Sequence, residues 1–166
     1  ESARTPIVIF VSSFGMHSYS EKRGFSATPE ELFGDNADSF FADELLKNQE
    51  AEVKALNDVL EGIRNLTRPV KFLTVFTKED LWLNRIDEVN EYYSARLAPL
   101  ILDHQKRNPA VKFSHAVQQV STVHSNFYAS KGGATKIIVG TAEGYDYTRH
   151  VASVHNLIDT FDHFTK

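Results

Sequence analysis

The sequence predicts a three-layer α/β fold built on a parallel sheet. Three apolar runs alternate with three longer amphipathic segments, in the order strand, helix, strand, helix, strand, helix. Because crossovers between parallel strands of one sheet are right-handed, this order predicts three adjacent parallel strands with helices on the faces. The length of 166 residues suits a single domain, 1–166, with an ordinary core.

The first strand is predicted at Ile7 to Val11, a continuous β-branched and aromatic run typical of a central strand covered on both faces. The stretch 12–36 is rich in glycine and polar residues, so it predicts a long loop with a helical turn around 30–33. Apolar residues at helical spacing from about Asp38 to Leu66 predict an amphipathic helix. Thr67-Arg68-Pro69 ends that helix.

The second strand is predicted at Val70 to Phe76, directly after that stop. A second helix is predicted from roughly Arg85 to Arg107, with a kink at Pro99. The third strand is predicted within Val111 to Ser121, where the apolar alternation is poorer than in the first two strands. These three segments complete the parallel sheet.

The C-terminal part begins with a segment, 122–146, whose glycine and serine content predicts irregular structure. Within it, Lys136 to Val139 favours a short extra strand, and Gly132-Gly133 favours a flexible turn. A closing amphipathic helix is predicted from the apolar positions between Val151 and Phe164.

Composition excludes several classes of function. The net charge is −4 and no run of lysine or arginine occurs, so nucleic acid is not an expected partner. The chain has no cysteine, which excludes disulfides, thiolate metal sites and cysteine nucleophiles. The run Ile7 to Val11 is far too short to span a bilayer and lacks the flanks of a signal peptide. We therefore expect a cytoplasmic protein without a membrane partner.

The histidines do not predict a metal site. None of the seven forms a compact two-histidine spacing with a helical acid, and His150 and His155 are five positions apart rather than four. Packing or surface positions are the simpler interpretation for most of them. His17 and His124 lie in loops expected at the ligand edge, where they could touch a nucleotide or a partner.

Ligands of parallel sheets collect beyond the carboxyl ends of the strands. Three loops are expected at that edge: 12–36, 77–81 and 121–126. The second contains Thr77-Lys78-Glu79-Asp80, which matches the pattern Asn/Thr-Lys-x-Asp directly after a buried strand. Its position at the end of a strand makes this motif informative.

The chemistry of this motif suits a guanine base. The carboxylate of Asp80 can accept hydrogen bonds from the ring N1–H and the exocyclic amine, a donor pair that adenine lacks. The stem of Lys78 can lie along the base and ribose while its ammonium reaches loop oxygens, and Thr77 can tie the loop to neighbouring backbone. The alternative interpretation is a helix N-terminus with Thr77 as its cap and the acidic pair Glu79 and Asp80 favouring the helix dipole.

With these residues the sequence resembles the second half of the TRAFAC-type P-loop GTPases. The resemblance is closest to larger bacterial GTPase-like proteins with an aromatic after the guanine motif, as in Leu81-Trp82, and by element order it covers nearly the whole chain. It implies a second, Ser-Ala-x type loop whose backbone contacts the guanine oxygen. Val120-Ser121-Thr122-Val123 looks like that loop, with Thr122 where alanine is usual. The nucleotide-binding residues implied in this way are Thr77, Lys78, Asp80, Leu81, Ser121, Thr122 and Val123. The aromatic residues Trp82, Tyr92 and Tyr93 are expected to pack in the core, and Trp82 could also shield the base.

The chain departs from this family in its phosphate site. No Gly-x-x-x-x-Gly-Lys-Ser/Thr occurs, and the metal-contacting Asp-x-x-Gly is also missing. In the family, the phosphate-loop strand lies beside the strand corresponding to Ile7 to Val11, so here an apolar edge is expected to be exposed. We expect that an N-terminal half precedes this sequence, or that another polypeptide completes a pseudo-GTPase.

The resemblance therefore predicts the distal half of a P-loop GTPase-like core, an incomplete GTPase-like domain. Its ligand would be GTP or GDP, with Mg²⁺ bound only if the missing half supplies the ligands, and no catalytic residue can be named in this chain. The alternative is a nucleotide-free scaffold that binds a protein partner through the open sheet edge or through loop 12–36.

Overall fold

Three parallel strands form the central sheet. The computed structural model describes residues 5–16, 34, 37–121, 127–131 and 134–165. The strands are β1 (Ile7–Ser12), β2 (Val70–Phe76) and β3 (Phe113–Gln119), and they lie in the order β1-β2-β3 with both pairings parallel. The prediction of three adjacent parallel strands is confirmed, and the chain has an α/β fold.

The remaining elements are five α-helices and a hairpin among the described residues. The helices are α1 (Ala37–Gly62), α2 (Glu79–Trp82), α3 (Ile86–Tyr92), α4 (Ala98–Arg107) and α5 (Tyr147–Thr165). The hairpin consists of antiparallel β4 (Phe127–Lys131) and β5 (Ala134–Val139). In this described part no helix is long and apolar enough to cross a membrane.

The strand register divides the core between the two faces of the sheet. On one face, Phe10, Phe72 and Phe76 pack with apolar residues of α1, α3 and α4. On the other face, Leu73 and Val75 pack against α5. Successive residues of a strand point to opposite faces, so the alternating apolar positions of β2 supply both layers.

β1 differs from its prediction as a central strand covered on both faces. It pairs only with β2 among the described residues, and Ile9 and Val11 are 46% and 56% exposed. Their register partners are Leu73 and Val75, which lie on the face that α5 covers. Ile7, at the start of β1, packs against the cluster on this face, whereas Ile9 and Val11 leave an apolar strip in solvent farther along the strand.

The predicted helix from Arg85 to Arg107 is interrupted. A 3₁₀ turn, Leu83–Arg85, precedes α3, and a π-helical turn, Tyr93–Leu97, joins α3 to α4. Pro99 lies in the first turn of α4, where its missing N–H costs nothing. The predicted single helix is thus interrupted by a π turn that ends two residues before Pro99, and the kink at Pro99 itself stays a prediction.

The segment predicted as irregular, 122–146, contains the hairpin. The short strand expected at Lys136 to Val139 lies within β5, whereas β4 was not predicted. The turn expected at Gly132-Gly133 and the helical turn expected at 30–33 lie outside the described residues. The closing helix begins at Tyr147, four residues earlier than its apolar pattern indicates.

Candidate functional site

The loops after β1 and β2 are joined at the carboxyl edge of the sheet. We call residues 12–16, which begin with the last residue of β1, the β1 loop and residues 77–80 the motif loop. The backbone N–H of Thr77 donates to the carbonyl of Ser12 at 2.8 Å, and the Thr77 hydroxyl donates to the same oxygen at 3.2 Å. The ammonium of Lys78 donates to the carbonyl of Met16 at 2.9 Å. The expectation that Thr77 ties the motif to neighbouring backbone and that Lys78 reaches loop oxygens is confirmed.

Lys78 has a left-handed backbone, with φ 64° and ψ 35°. It is the N-terminal flanking residue of α2, and no side chain caps that helix end. The interpretation of Thr77 as a helix cap is therefore wrong, because its hydroxyl donates to Ser12 instead. Glu79 and Asp80 do lie in the first turn of α2. A non-glycine residue at positive φ is uncommon and persists only where surrounding contacts hold it.

Asp80 and Ser121 are brought together from neighbouring strand ends. The Ser121 hydroxyl donates to Oδ1 of Asp80, and both residues are buried, at 0% and 1% exposure for Ser121 and Asp80 respectively. The backbone N–H of Ala142 donates to the Asp80 carbonyl at 2.6 Å. The Asp80 carboxylate is also close enough to Tyr145 to affect it: burial raises the pKa of the Tyr145 hydroxyl, and the carboxylates of Glu79 and Asp80 act in the same direction. The Asp80 carboxylate is therefore held in a fixed, enclosed position.

Glu79, the variable position of the motif, is also held. Arg149 of α5 reaches its Oε1 through Nε at 2.8 Å and through a terminal guanidinium nitrogen at 2.7 Å. The Glu79 side chain is 4% exposed and that of Arg149 is 46% exposed. A groove of about 540 Å³ opens beside this pair, between β3 and α5. The pair thus links the motif loop to the last helix.

Leu81 and Trp82 are core residues. Leu81 is 5% exposed and Trp82 is fully buried, with its ring edge-on to Phe76. The indole N–H of Trp82 donates to the carbonyl of Thr77 at 2.7 Å. The prediction that Trp82 packs is confirmed. The prediction that it shields a base is wrong, because it has no accessible face.

A buried carboxylate from α1 holds the β1 loop. Glu52, 7% exposed, accepts hydrogen bonds from the Ser12 hydroxyl at 2.6 Å and from the backbone N–H groups of Ser13 and Gly15 at 2.9 and 3.1 Å. The Ser13 hydroxyl and the Tyr92 hydroxyl lie at 3.2 and 3.1 Å from its oxygens. Burial, together with Glu52, raises the pKa of Tyr92, which keeps that hydroxyl protonated as a donor.

Of the predicted site residues, the structure brings Asp80 and Ser121 into contact and places Thr77 and Lys78 against the β1 loop. Leu81 lies behind them in the core. Thr122 and Val123 lie outside the described residues, as do His17 and His124.

The sequence did not indicate Glu52 or Arg149. Each is one charged residue among many on a solvated helix, and its partner lies 37 or more positions away along the chain. A signal for the β1 loop was present in Ser12-Ser13 at the end of an apolar strand, where hydroxyls and backbone N–H groups need acceptors. In the described part of the chain no group of three or more His, Asp or Glu residues could hold a metal ion, so we assign no Mg²⁺ ligand there.

Comparison of the chain with protein-family models, with curated proteins and with solved structures finds no match.

Proposed function

We propose that this chain is the base-recognition half of a guanine-nucleotide-binding, GTPase-like domain. The observation that carries the proposal is the contact between Asp80 and Ser121 at the ends of two neighbouring parallel strands. A carboxylate held in this way at the carboxyl edge of a sheet suits the paired N–H donors of guanine. Thr77 and Lys78 support it by fixing the motif loop to the β1 loop.

The strained backbone at Lys78 also supports this proposal. Left-handed geometry at a lysine costs on the order of 1 kcal/mol, and such strain concentrates at functional sites. Hydrolysis would require magnesium ligands and a phosphate-binding strand from outside this sequence. That strand would pair with the edge of β1 opposite β2. GTP and GDP are the proposed ligands, and hydrolysis is not assigned to any residue of this chain.

Two observations favour a second candidate, a nucleotide-free scaffold of the same fold. The Asp80 carboxylate is enclosed and already accepts the Ser121 hydroxyl. In addition, Ile9 and Val11 expose an apolar strip on β1, whose edge opposite β2 pairs with no strand among the described residues, and this suits addition of a strand from a protein partner. In this candidate the motif residues hold two loops together and bind no base.

Nucleotide titration of the ¹⁵N-labelled full chain separates the two candidates. Two charge-assisted hydrogen bonds to guanine predict a dissociation constant on the order of 1 mM in the absence of phosphate contacts. GDP and GTP should therefore shift the amide signals of residues 77–80, and ATP should not. Equal shifts with ATP would contradict guanine recognition, and a folded chain that responds to no nucleotide would favour the scaffold.

The variant Asp80→Asn sharpens this test. Xanthine carries a carbonyl where guanine carries its exocyclic amine, so an asparagine amide, with one acceptor and two donors, complements xanthine instead. Asp80→Asn should lose GDP binding and gain XDP binding. Asp87→Asn, an exposed carboxylate on α3, is the matched control and should leave both affinities unchanged.

A further inference from the structure

We infer that Glu52 is the positioning residue of the motif loop: from α1 it fixes the β1 loop, whose carbonyls in turn hold Thr77 and Lys78. This inference rests on the proposed function for its consequence in guanine binding. The contacts from which it follows do not depend on a nucleotide.

The Glu52 carboxylate fits the shape of the β1 loop. Phe14 and Gly15 are both left-handed, with φ of 57° and 80°. Around these bends, the backbone N–H groups of Ser13 and Gly15 point toward one position beside the loop. Glu52 Oε1 occupies it, accepting the N–H groups of Ser13 and Gly15. The carboxylate thus compensates a backbone shape that a phenylalanine otherwise adopts at a cost.

Two neighbouring residues of α1 also bind the β1 loop. Asn48 donates to the carbonyl of Gly15 at 2.9 Å, and Gln49 donates to the carbonyl of Phe14 at 3.4 Å. Positions 48, 49 and 52 share one helix face, so a single surface of α1 binds both the N–H groups and the carbonyls of the β1 loop. Asn48 and Gln49 donate to the loop's carbonyls, whereas Glu52 accepts from its N–H groups.

Ser12 and Met16 connect the β1 loop directly to the motif loop. Ser12 uses its hydroxyl to bind Glu52 and its carbonyl to accept both hydrogen bonds of Thr77. At the other end of the β1 loop, the Met16 carbonyl accepts the ammonium of Lys78. Two carbonyls of the loop that Glu52 holds are therefore points at which the motif loop is fixed.

Hydrogen exchange of the full chain without nucleotide tests this inference. In Glu52→Gln an NH₂ group replaces Oε2, the oxygen that accepts the Ser12 and Tyr92 hydroxyls, and the remaining neutral carbonyl accepts the N–H groups of Ser13 and Gly15 less strongly than a carboxylate does. The amides of Gly15 and Thr77 and the indole N–H of Trp82 should exchange about tenfold faster. Amides within β2 and β3 should change less than these.

Two matched variants separate positioning from general loss of stability. Tyr92→Phe removes a partner of the same carboxylate but leaves its loop contacts, so it should lower global stability without accelerating Gly15 and Thr77 beyond the other amides. Glu50→Gln, exposed on the same helix, should change nothing. Unchanged exchange at Gly15 and Thr77 in Glu52→Gln, or equal acceleration throughout the sheet, would overturn the inference.

Nucleotide affinity gives the functional readout. If the native chain binds GDP, Glu52→Gln should weaken that binding about tenfold, and Tyr92→Phe should have a much smaller effect. Undiminished affinity in Glu52→Gln would contradict the positioning role. Failure of the native chain to bind any guanine nucleotide would refute the proposed function, while the exchange data would still decide whether Glu52 fixes the motif loop.

Discussion

Replacing Gly15 with alanine tests how closely the β1 loop approaches α1. At Gly15 the backbone φ is +80°, and an added Cβ would lie 2.6 Å from the carbonyl oxygen of Leu45. That oxygen is helix backbone and cannot rotate away. Two costs add: about 1 kcal/mol for a side chain at positive φ and about 1–3 kcal/mol for overpacking. We expect Gly15→Ala to lower the free energy of unfolding by about 3 kcal/mol.

Two other glycines separate these costs. Gly144 also has φ +80°, but an added Cβ there would meet nothing within 4 Å. Gly144→Ala should therefore cost only the conformational part, about 1 kcal/mol. Gly62, at the end of α1, has open space and no positive φ. Gly62→Ala should be neutral or stabilising by up to about 1 kcal/mol.

Urea unfolding, followed by the fluorescence of Trp82, measures all three variants against the native chain. Trp82 is the single tryptophan and is fully buried, so its emission reports loss of the core. The dependence of unfolding free energy on urea must be the same in the four proteins for the comparison to hold. If Gly15→Ala loses no more stability than Gly144→Ala, the contact with Leu45 carries no energy and this reasoning is refuted.

Three other contacts can be tested through stability. For Glu79→Gln and Arg149→Met, a double-mutant cycle should give a coupling of about 1 kcal/mol, because Glu79 is buried but Arg149 is half exposed; a value near zero would contradict this. Burial lowers the pKa of His115, so the folded state favours the neutral ring. The contribution of this ring to stability is therefore fully present above about pH 6.5 and should be lost as the pH falls below that value. His115→Gln should therefore make unfolding free energy less dependent on pH between about pH 7 and pH 5, and an unchanged slope would exclude His115 as the cause. Phe72 is fully buried and stacked on Phe113. Phe72→Ala should lower the free energy of unfolding in urea by about 3–5 kcal/mol, and a loss below about 2 kcal/mol would show that the core closes around the gap.

The sheet was predictable because its signal is local. The apolar runs at β1 and β2 identify the strands within one residue, and alternation with helices dictates parallel order. The exposure of Ile9 and Val11 was not predictable, because it depends on which neighbour covers each face and not on the run itself. An apolar strand looks the same in sequence whether or not a helix lies over it.

The candidate site divides in the same way. Lys78 and Asp80 were identified because they stand in the pattern Asn/Thr-Lys-x-Asp directly after a buried strand. Ser121 was identified because it lies where the next strand ends. Glu52 and Arg149 were missed because a long-range hydrogen bond leaves no pattern in the residues around it. Their contacts became visible only when the loops at the strand ends were placed against α1 and α5.

The two sides of the motif loop are held unequally, and this bears on how a base could reach Asp80. On the α1 side, Ser12 and Met16 belong to a loop fixed by the buried carboxylate of Glu52 and by two other residues of α1, Asn48 and Gln49. On the other side, the contacts of Asp80 include the Ser121 hydroxyl and the backbone N–H of Ala142, which lies in a turn between the hairpin and α5, while Arg149 of α5 holds the neighbouring Glu79. Turns of this kind open at a smaller cost in free energy than a loop bound to a packed helix. Access to the Asp80 carboxylate is therefore expected from the side of Ala142, while the β1 loop stays in place.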